Sequence, residues 1–346
     1  MPSRTVENDD FTRGSFFKDY GEPIDPAENG RVVEKFREIT EISERRYTTD
    51  DRVASDLGAD AARLAVEDAG IDPESLDYVI VAHNFGDIRA DRLRVDLVPT
   101  LAARVKEALG IRNPACVAYD LPFGCPGWLQ AVIQADYFLR SGDASRALVV
   151  GTETLSRVCD PHDRDSMLYA DGAGATVLEA VESDAGVGIL SHAARSDTVE
   201  HARLLRMGPS YDPCHPDDRI FLKMEGRKLY EYAITTVPGV VRDSLERAGL
   251  TLTDVRKVLL HQANAKMDHA ILERLFRLYG VDPIPDGIMP MTISWLGNSS
   301  VATLPTLFDL MRRGRLDGQA FSPGDVVVFA SVGAGMNVNS LVYRIP

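Results

Sequence analysis

The chain has 346 residues, about two domains' worth, with 38 Lys and Arg against 52 Asp and Glu for a net charge of −14. A composition of 45% hydrophobic and 26% charged residues is ordinary for a globular protein and excludes a disordered or fibrous chain. No apolar run approaches the roughly 20 residues of a membrane span, the start Met1-Pro2-Ser3-Arg4-Thr5 lacks the apolar core of a signal peptide, and a pI near 5.0 without a basic block argues against nucleic acid as the main partner.

The first thirty residues are polar and rich in turn formers. Helical periodicity follows over 32–41 and again over 55–69, where Leu57, Ala61, Leu64 and Ala65 share one face. Residues 76–82 form a short continuous apolar run, the pattern of a strand buried on both faces. A helix is predicted over 98–109, with Pro99 tolerable in its first turn and Gly110 at its end. Residues 115–119 read as a strand, 127–141 as a long helix stopped by Ser141-Gly142, and 147–151 as a buried strand. The small residues of Asp171-Gly172-Ala173-Gly174-Ala175 lead into a strand over 176–179 and predict close approach by other backbone. After about Glu182 the order begins again: a strand over 187–191, a helix over 226–248, a strand over 258–260 ending at His261, helices over 263–278 and 301–313, and strands over 325–331 and 340–344. Strands alternate with helices in both halves, 1–184 and 185–346, so the class is α/β with largely buried sheets.

Four segments carry residues suited to chemistry. Leu121-Pro122-Phe123-Gly124-Cys125-Pro126-Gly127-Trp128 joins a strand to the long helix, with Cys125 just before it and Pro126 suited to the first helical position. A cysteine there meets the positive end of the helix, which predicts a lowered thiol pKa and more nucleophilic thiolate. The plain alternative is a buried packing cysteine, the reading that fits Cys116 and Cys159. Cys214 lies in the Pro-flanked loop Asp212-Pro213-Cys214-His215-Pro216, where no further metal ligands are visible. The four cysteines form no CxxC and no dense framework, as expected of a reduced, cytoplasmic protein. His261 in Leu260-His261-Gln262-Ala263-Asn264 stands at the carboxyl end of a buried strand, where open α/β sheets place reactive groups; the alternative is a satisfied buried histidine. Asn298 in Gly297-Asn298-Ser299-Ser300 is a candidate side-chain donor or simply a helix cap. Ser331-Val332-Gly333-Ala334-Gly335-Met336 is a loop whose N–H groups could cradle an oxyanion, or a tight turn.

Together these segments resemble the β-ketoacyl-ACP synthase III family of thiolase-like condensing enzymes. The resemblance runs from about Glu44-Arg45-Arg46 to the end and includes Cys159-Asp160-Pro161, Asp163-Arg164, Asp171-Gly172-Ala173-Gly174-Ala175, His261-Gln262-Ala263-Asn264, Gly297-Asn298-Ser299-Ser300 and Gly333-Ala334-Gly335. It implies a five-layered αβαβα sandwich of two similar halves, active as a homodimer. It also implies a catalytic Cys125, His261 and Asn298, with the amides of Cys125 and Ala334 as oxyanion hole. The implied reaction loads an acyl group on Cys125 and condenses it with malonyl-ACP, losing CO₂. It uses acyl-CoA and acyl- or malonyl-ACP as substrates and no metal or redox cofactor. Arg164, Asn264, Lys266, Val98, Met224, Gly333 and Gly335 are the implied substrate-binding positions, with Val98 standing where an aromatic residue bounds the neighbouring subunit's acyl pocket.

The chain departs from that pattern in several places. Lys35-Phe36-Arg37 offers no clean counterpart to the aromatic that stacks on coenzyme A, Ile39 replaces an arginine, and Thr40-Glu41-Ile42 replaces Thr-Gly-Ile. Coenzyme A and an acyl carrier protein therefore both stand as primer donors. The stretch 84–97 is longer and more charged than the family's, and the family's opening strand has no counterpart, because of a truncated start or a substitute segment. Cys, His and Asn also occur in this order in papain-like peptidases, but the alternation of strands and helices and the lack of a disulfide framework oppose that reading. A non-catalytic partner subunit would have lost the nucleophile. Within the superfamily the alternatives are condensation of acyl and β-ketoacyl thioesters with cyclisation, as in dialkylresorcinol or cyclohexanedione synthesis, acyl transfer without C–C bond formation, and chemistry using a carboxylate base such as Glu153 or Asp87.

Overall fold

The computed structural model describes every residue except Tyr20 and Asp217. Its two principal sheets have four strands each. In the first, Val117–Pro122, Tyr78–His83 and Arg146–Thr154 run parallel, and Asp171–Glu179 closes the sheet antiparallel. In the second, Val255–Leu260 and Val326–Gly333 run parallel, and Asn337–Arg344 lies antiparallel between Val326–Gly333 and Gly188–Ser196.

Side chains alternate across a strand, so one strand feeds two cores. Val79, Val81, Leu148 and Val150 pack with the helices Ala54–Ala69 and Leu101–Ala108 on the outside of the first sheet. Ile80, Ala82, Ala147 and Val149 face the other way, toward Gly127–Ser141 and Thr303–Arg312. Leu259, Val327, Phe329 and Leu341 of the second sheet join that same central cluster. Val258, Leu260, Val328 and Ala330 face the outer helices Gly226–Arg247 and Ala265–Tyr279. Helices, sheet, helices, sheet and helices make the five-layered αβαβα sandwich. Each Val or Leu fully buried this way contributes about 1.5–3 kcal/mol, so an unpartnered polar residue in any of these strands would break a layer.

Several boundaries differ from the sequence expectation for local reasons. The helix predicted over 98–109 begins only at Leu101, because Thr100 is its cap and accepts the Ala103 N–H at 3.2 Å, leaving Pro99 outside. The strand predicted over 176–179 starts at Asp171, whose carboxylate accepts from the Thr48 and Ser156 N–H groups. The close approach of other backbone expected there is present: a Cβ at Gly174 would lie 3.1 Å from the Thr306 nitrogen, and 2.8 Å from Pro305 Cβ. No further strand pairs with the free edge of Asp171–Glu179 among the described residues. Three short antiparallel pairs were not legible in the sequence: Arg4–Glu7 with Glu44–Tyr47, Asp87–Ile88 with Val95–Asp96, and Leu205–Gly208 with Phe221–Met224. No helix among the described residues is long and apolar enough to cross a membrane.

Candidate active site

The strand Val117–Pro122 delivers the chain to a turn in which the Gly127 N–H donates to the Gly124 carbonyl at 2.9 Å. The long helix starts at Gly127, with Pro126 as its cap rather than its first residue. Cys125 thus stands just outside the helix. The loop after Val326–Gly333 comes down on it so closely that a Cβ at Gly333 would lie 2.7 Å from the Cys125 nitrogen and 2.9 Å from its Cβ. Gly124, at φ +73°, takes the left-handed conformation that glycine tolerates, and a Cβ there would sit 3.1 Å from the Ala334 nitrogen. The amides of Cys125 and Ala334 are thereby brought to one place from opposite halves of the chain.

Cys125, His261, Asn298 and Ala334 all line one cavity of about 270 Å³. His261 follows the strand Val255–Leu260 and is pinned by its N–H donating to the Ala330 carbonyl at 2.8 Å. Its ring is 3% exposed and Nδ1 has no hydrogen-bond partner. Asn298 is held by two backbone bonds to the segment before Asp171: its N–H donates to the Leu168 carbonyl at 2.9 Å, and the Ala170 N–H donates to its carbonyl at 2.8 Å. Its side-chain oxygen accepts the Ser300 N–H at 2.9 Å, which leaves the amide NH₂ as the donor end. Asn298 therefore caps a local turn and also faces the cavity; the two sequence readings are compatible.

The electrostatics correct one expectation. Burial pushes the Cys125 thiol up from 9.0 to about 11, against the pull of the Ser300 hydroxyl and with a further push from Glu153. A helix N-terminus supplies at most about 2 kcal/mol, or about 1.5 pKa units, less than burial imposes here. The resting group is a neutral thiol. His261 is displaced the other way, to about 4, also by burial, so the facing imidazole is neutral as well.

The remaining wall is mostly apolar, with Arg206, Asn84 and Ser300 as its polar members. Leu205, Met207, Leu222 and Met224 come from the short hairpin, with Leu155 and Phe85 from the first half. Of the substrate-binding positions expected from the sequence, Met224 lines the cavity and Gly333 abuts Cys125. Gly335 continues that loop, which the Asn337 side chain ties by donating to the Ala334 carbonyl at 2.8 Å. Asn264 caps Ala265–Tyr279, its side-chain oxygen accepting the Met267 N–H at 2.8 Å. Arg164 and Lys266 are exposed and lie outside the cavity wall, as does Val98, 85% exposed in the single chain. Asp87 is engaged away from the thiol, accepting from the Ser55 N–H and hydroxyl and pairing with Arg104 at 2.6 Å. Cys116 is buried as expected of a packing residue, and no group of metal-binding side chains occurs among the described residues. Sequence reasoning missed Asn84, Ser300 and the hairpin. The alternation Leu205-Arg206-Met207 and Leu222-Lys223-Met224 was the signal available for the last.

Residues 119–198 match the pattern described as 3-oxoacyl-[acyl-carrier-protein (ACP)] synthase III, and residues 245–345 match the pattern of its C-terminal part. The beta-ketoacyl-[acyl-carrier-protein] synthase III of Erythrobacter litoralis is 35% identical over 310 residues, covering 89% of each chain. That of Paracoccus denitrificans is 32% identical, covering 99% of this chain and 96% of its own. The crystal structure of the Thermus thermophilus synthase III superposes with a TM-score of 0.79 at 30% identity, covering 100% and 96% of the two chains. The priming β-ketosynthase of the R1128 polyketide pathway superposes with the same TM-score at 27% identity, covering 100% and 93%. With two parts of the family's sequence pattern matched in order and relatives above 30% identity over most of its length, this chain belongs to the β-ketoacyl-[acyl-carrier-protein] synthase III family.

Proposed function

We infer that this protein is a condensing enzyme that loads an acyl group from a thioester onto Cys125 and joins it to a malonyl group carried by acyl carrier protein. The observation that carries this reading is the convergence of Cys125, His261, Asn298 and Ala334, from four separate stretches of chain, on one largely apolar cavity.

In the first half-reaction Sγ attacks the thioester carbonyl, the C–S bond to the carrier breaks as the tetrahedral intermediate collapses, and the Cys125 proton ends on the carrier sulfur, which leaves as the free thiol. The oxyanion of the tetrahedral intermediate receives the N–H groups of Cys125 and Ala334, each such donor being worth about 2.7–4 kcal/mol. In the second, the malonyl C–C bond breaks and CO₂ leaves. The electron pair moves onto the thioester oxygen as an enolate, which accepts from His261 Nε2–H and the Asn298 NH₂. Carbon then attacks the acyl-Cys125 carbonyl, the C–S bond breaks, and the thiolate takes up a proton from the medium. A neutral imidazole suits this step, because it donates one hydrogen bond without trapping the enolate as an enol. The reaction draws on no metal or redox cofactor.

The enzyme acts as a homodimer in the cytoplasm. Val98, with Val95 at 56% and Leu97 at 44% exposure, forms an apolar patch just before Leu101, whose N–H donates to Asp120 of Val117–Pro122, an edge strand that no other strand pairs with on its outer side among the described residues; a second subunit would cover both. Lys266, exposed beside the cavity-lining Ala263 and Met267, is suited to dock an acidic carrier protein. Incubation with acyl-CoA or acyl-ACP and intact-mass measurement should show one acyl adduct, absent in Cys125→Ala. Undiminished acylation of that variant would defeat the assignment.

A further inference from the structure

Two buried polar residues, Glu153 and Ser300, and the half-buried Asn84, all outside the predicted triad, connect to its sulfur in one line. Glu153, near the end of the strand Arg146–Thr154, is 2% exposed, and its Oε1 accepts the Asn84 backbone N–H at 2.8 Å and one hydrogen of the Asn84 side-chain amide. The same amide nitrogen donates its other hydrogen to Ser300 Oγ at 3.0 Å. Ser300 Oγ lies 3.3 Å from Cys125 Sγ and donates to it. Ser300 is 3% exposed and holds φ +53°, a left-handed conformation that a residue with a Cβ adopts only when its surroundings impose it. Part of that imposition is its own N–H, which donates to the Asn298 side chain.

The direction of this line follows from what each group can do. Glu153 Oε1 accepts the Asn84 backbone N–H, and it does so whether the carboxyl is ionised or carries a proton on its other oxygen, so the Asn84 NH₂ end turns toward it. With both of its hydrogens committed, that nitrogen fills an acceptor site on Ser300 Oγ. The single hydroxyl proton of Ser300 is then left for the sulfur. We propose that Glu153, Asn84 and Ser300 are positioning residues that aim one hydroxyl proton at Cys125 Sγ and so set the reactivity of the nucleophile. The inference rests on Cys125 as the nucleophile but not on which thioesters it meets.

Glu153 contributes in two opposed ways. As an acceptor it fixes the Asn84 amide; as a charge it opposes formation of a second anion on sulfur. Burial raises its own pKa to about 8, with Asp171 of the neighbouring strand pushing in the same direction and the Asn84 donors opposing. The other titratable groups around the sulfur are Tyr169, whose phenol burial keeps protonated, and His261, kept neutral by burial across the cavity. Arg206 also lines the cavity. The charge that bears on the sulfur is that of Glu153, and the hydroxyl of Ser300 is the donor that works against it.

The test is the rate of iodoacetamide alkylation at Cys125 as a function of pH, followed by peptide mass spectrometry, with thermal unfolding as a folding control. Ser300→Ala should alkylate about tenfold more slowly at pH 8, the effect of raising a thiol by about one pKa unit. Asn84→Leu should show a comparable loss, and the double variant should be no slower than the slower single, because both break one line. Glu153→Leu should also slow the reaction, whereas Glu153→Gln, which retains an acceptor and removes the charge, should react at least as fast as the wild type. Wild-type rates in Ser300→Ala, losses that multiply in the double variant, or Glu153→Gln as slow as Glu153→Leu would overturn the proposal. Should Asn84→Leu fail to fold, the displaced pH profile of Ser300→Ala decides alone. Failure of the wild type to form an acyl adduct would instead refute the condensing reading and leave this test standing.

Discussion

Gly333→Ala probes the convergence on which the site depends without replacing any reacting side chain. The added Cβ would fall 2.7 Å from the Cys125 nitrogen, 2.9 Å from Cys125 Cβ and 2.6 Å from Pro126 Cδ, against the 3.4 Å at which ordinary contact begins. None of these atoms is the end of a flexible side chain; two belong to the turn that opens the helix. The loop and the turn must therefore separate by about 0.7 Å, which carries the Ala334 and Cys125 amides apart by a similar distance. A displacement approaching 1 Å in a reacting geometry costs on the order of 100-fold in rate, and overpacking of this kind costs about 1–3 kcal/mol in stability. Stopped incubations with an acyl thioester, read by intact mass, should show acyl-enzyme forming on the order of 100-fold more slowly, while denaturant unfolding shows a loss within that range. If Gly333→Ala acylates at the wild-type rate with unchanged stability, the two amides do not act together and the oxyanion hole is wrongly placed.

His261→Ala and Asn298→Ala should leave acylation of Cys125 largely intact and reduce condensation with malonyl-ACP by about 100-fold or more, as removal of an oxyanion donor does; condensation at the wild-type rate in either variant, followed by CO₂ release, would remove the enolate role. Asp268→Leu should stabilise the protein. Asp268 is fully buried in the first turn of Ala265–Tyr279, and both its oxygens lack a hydrogen-bonding partner, the Ala263 N–H approaching without reaching bonding geometry. Burial holds this carboxyl well above its usual range, so ionisation favours the unfolded chain, and the folded state loses stability as pH rises past the unfolded value near 3.8. The leucine variant should gain about 1–3 kcal/mol in urea unfolding at pH 7 and less at pH 4, and a loss at pH 7 would show that Asp268 has a partner of its own.

The layers of the fold were legible because periodicity and burial point the same way in them. A run such as Val79-Ile80-Val81-Ala82 is apolar at every position, and each residue serves one of two cores. Cys125 and His261 were legible for a related reason: a strand, a turn and a helix follow each other in sequence, and the junction is where a side chain can face a cavity. The hairpin that walls the cavity was not. Each of its strands has four residues, too few for a period to register, and its outer face is stabilised by distant partners. Lys223, 3% exposed, pairs with Asp160 at 2.5 Å and lies 3.4 Å over the Tyr211 ring. A lysine in a strand of four residues looks like surface until those partners are known.

The direction of the thiol shift was illegible for a deeper reason. A helix start can be read from Gly-Cys-Pro-Gly, and its small stabilisation of an anion follows from geometry alone. Desolvation depends on what the rest of the chain brings around the sulfur, and here that is Phe85, Leu155, Val332 and the Gly333 loop, from both halves. The same surroundings that raise Cys125 lower His261, so the fold favours a neutral pair over a thiolate–imidazolium pair. That arrangement fits a reaction whose charges appear only along its course: an oxyanion beside two amides, then an enolate beside an imidazole and a carboxamide. In a largely apolar cavity, donors fixed in advance stabilise those transient anions more strongly than they would in solution, and a permanent ion pair at rest would compete for the same donors. Reactivity therefore resides in the orientation of neutral dipoles, which is why a serine hydroxyl held in a strained conformation by two neighbouring side chains belongs to the same design as the triad it touches.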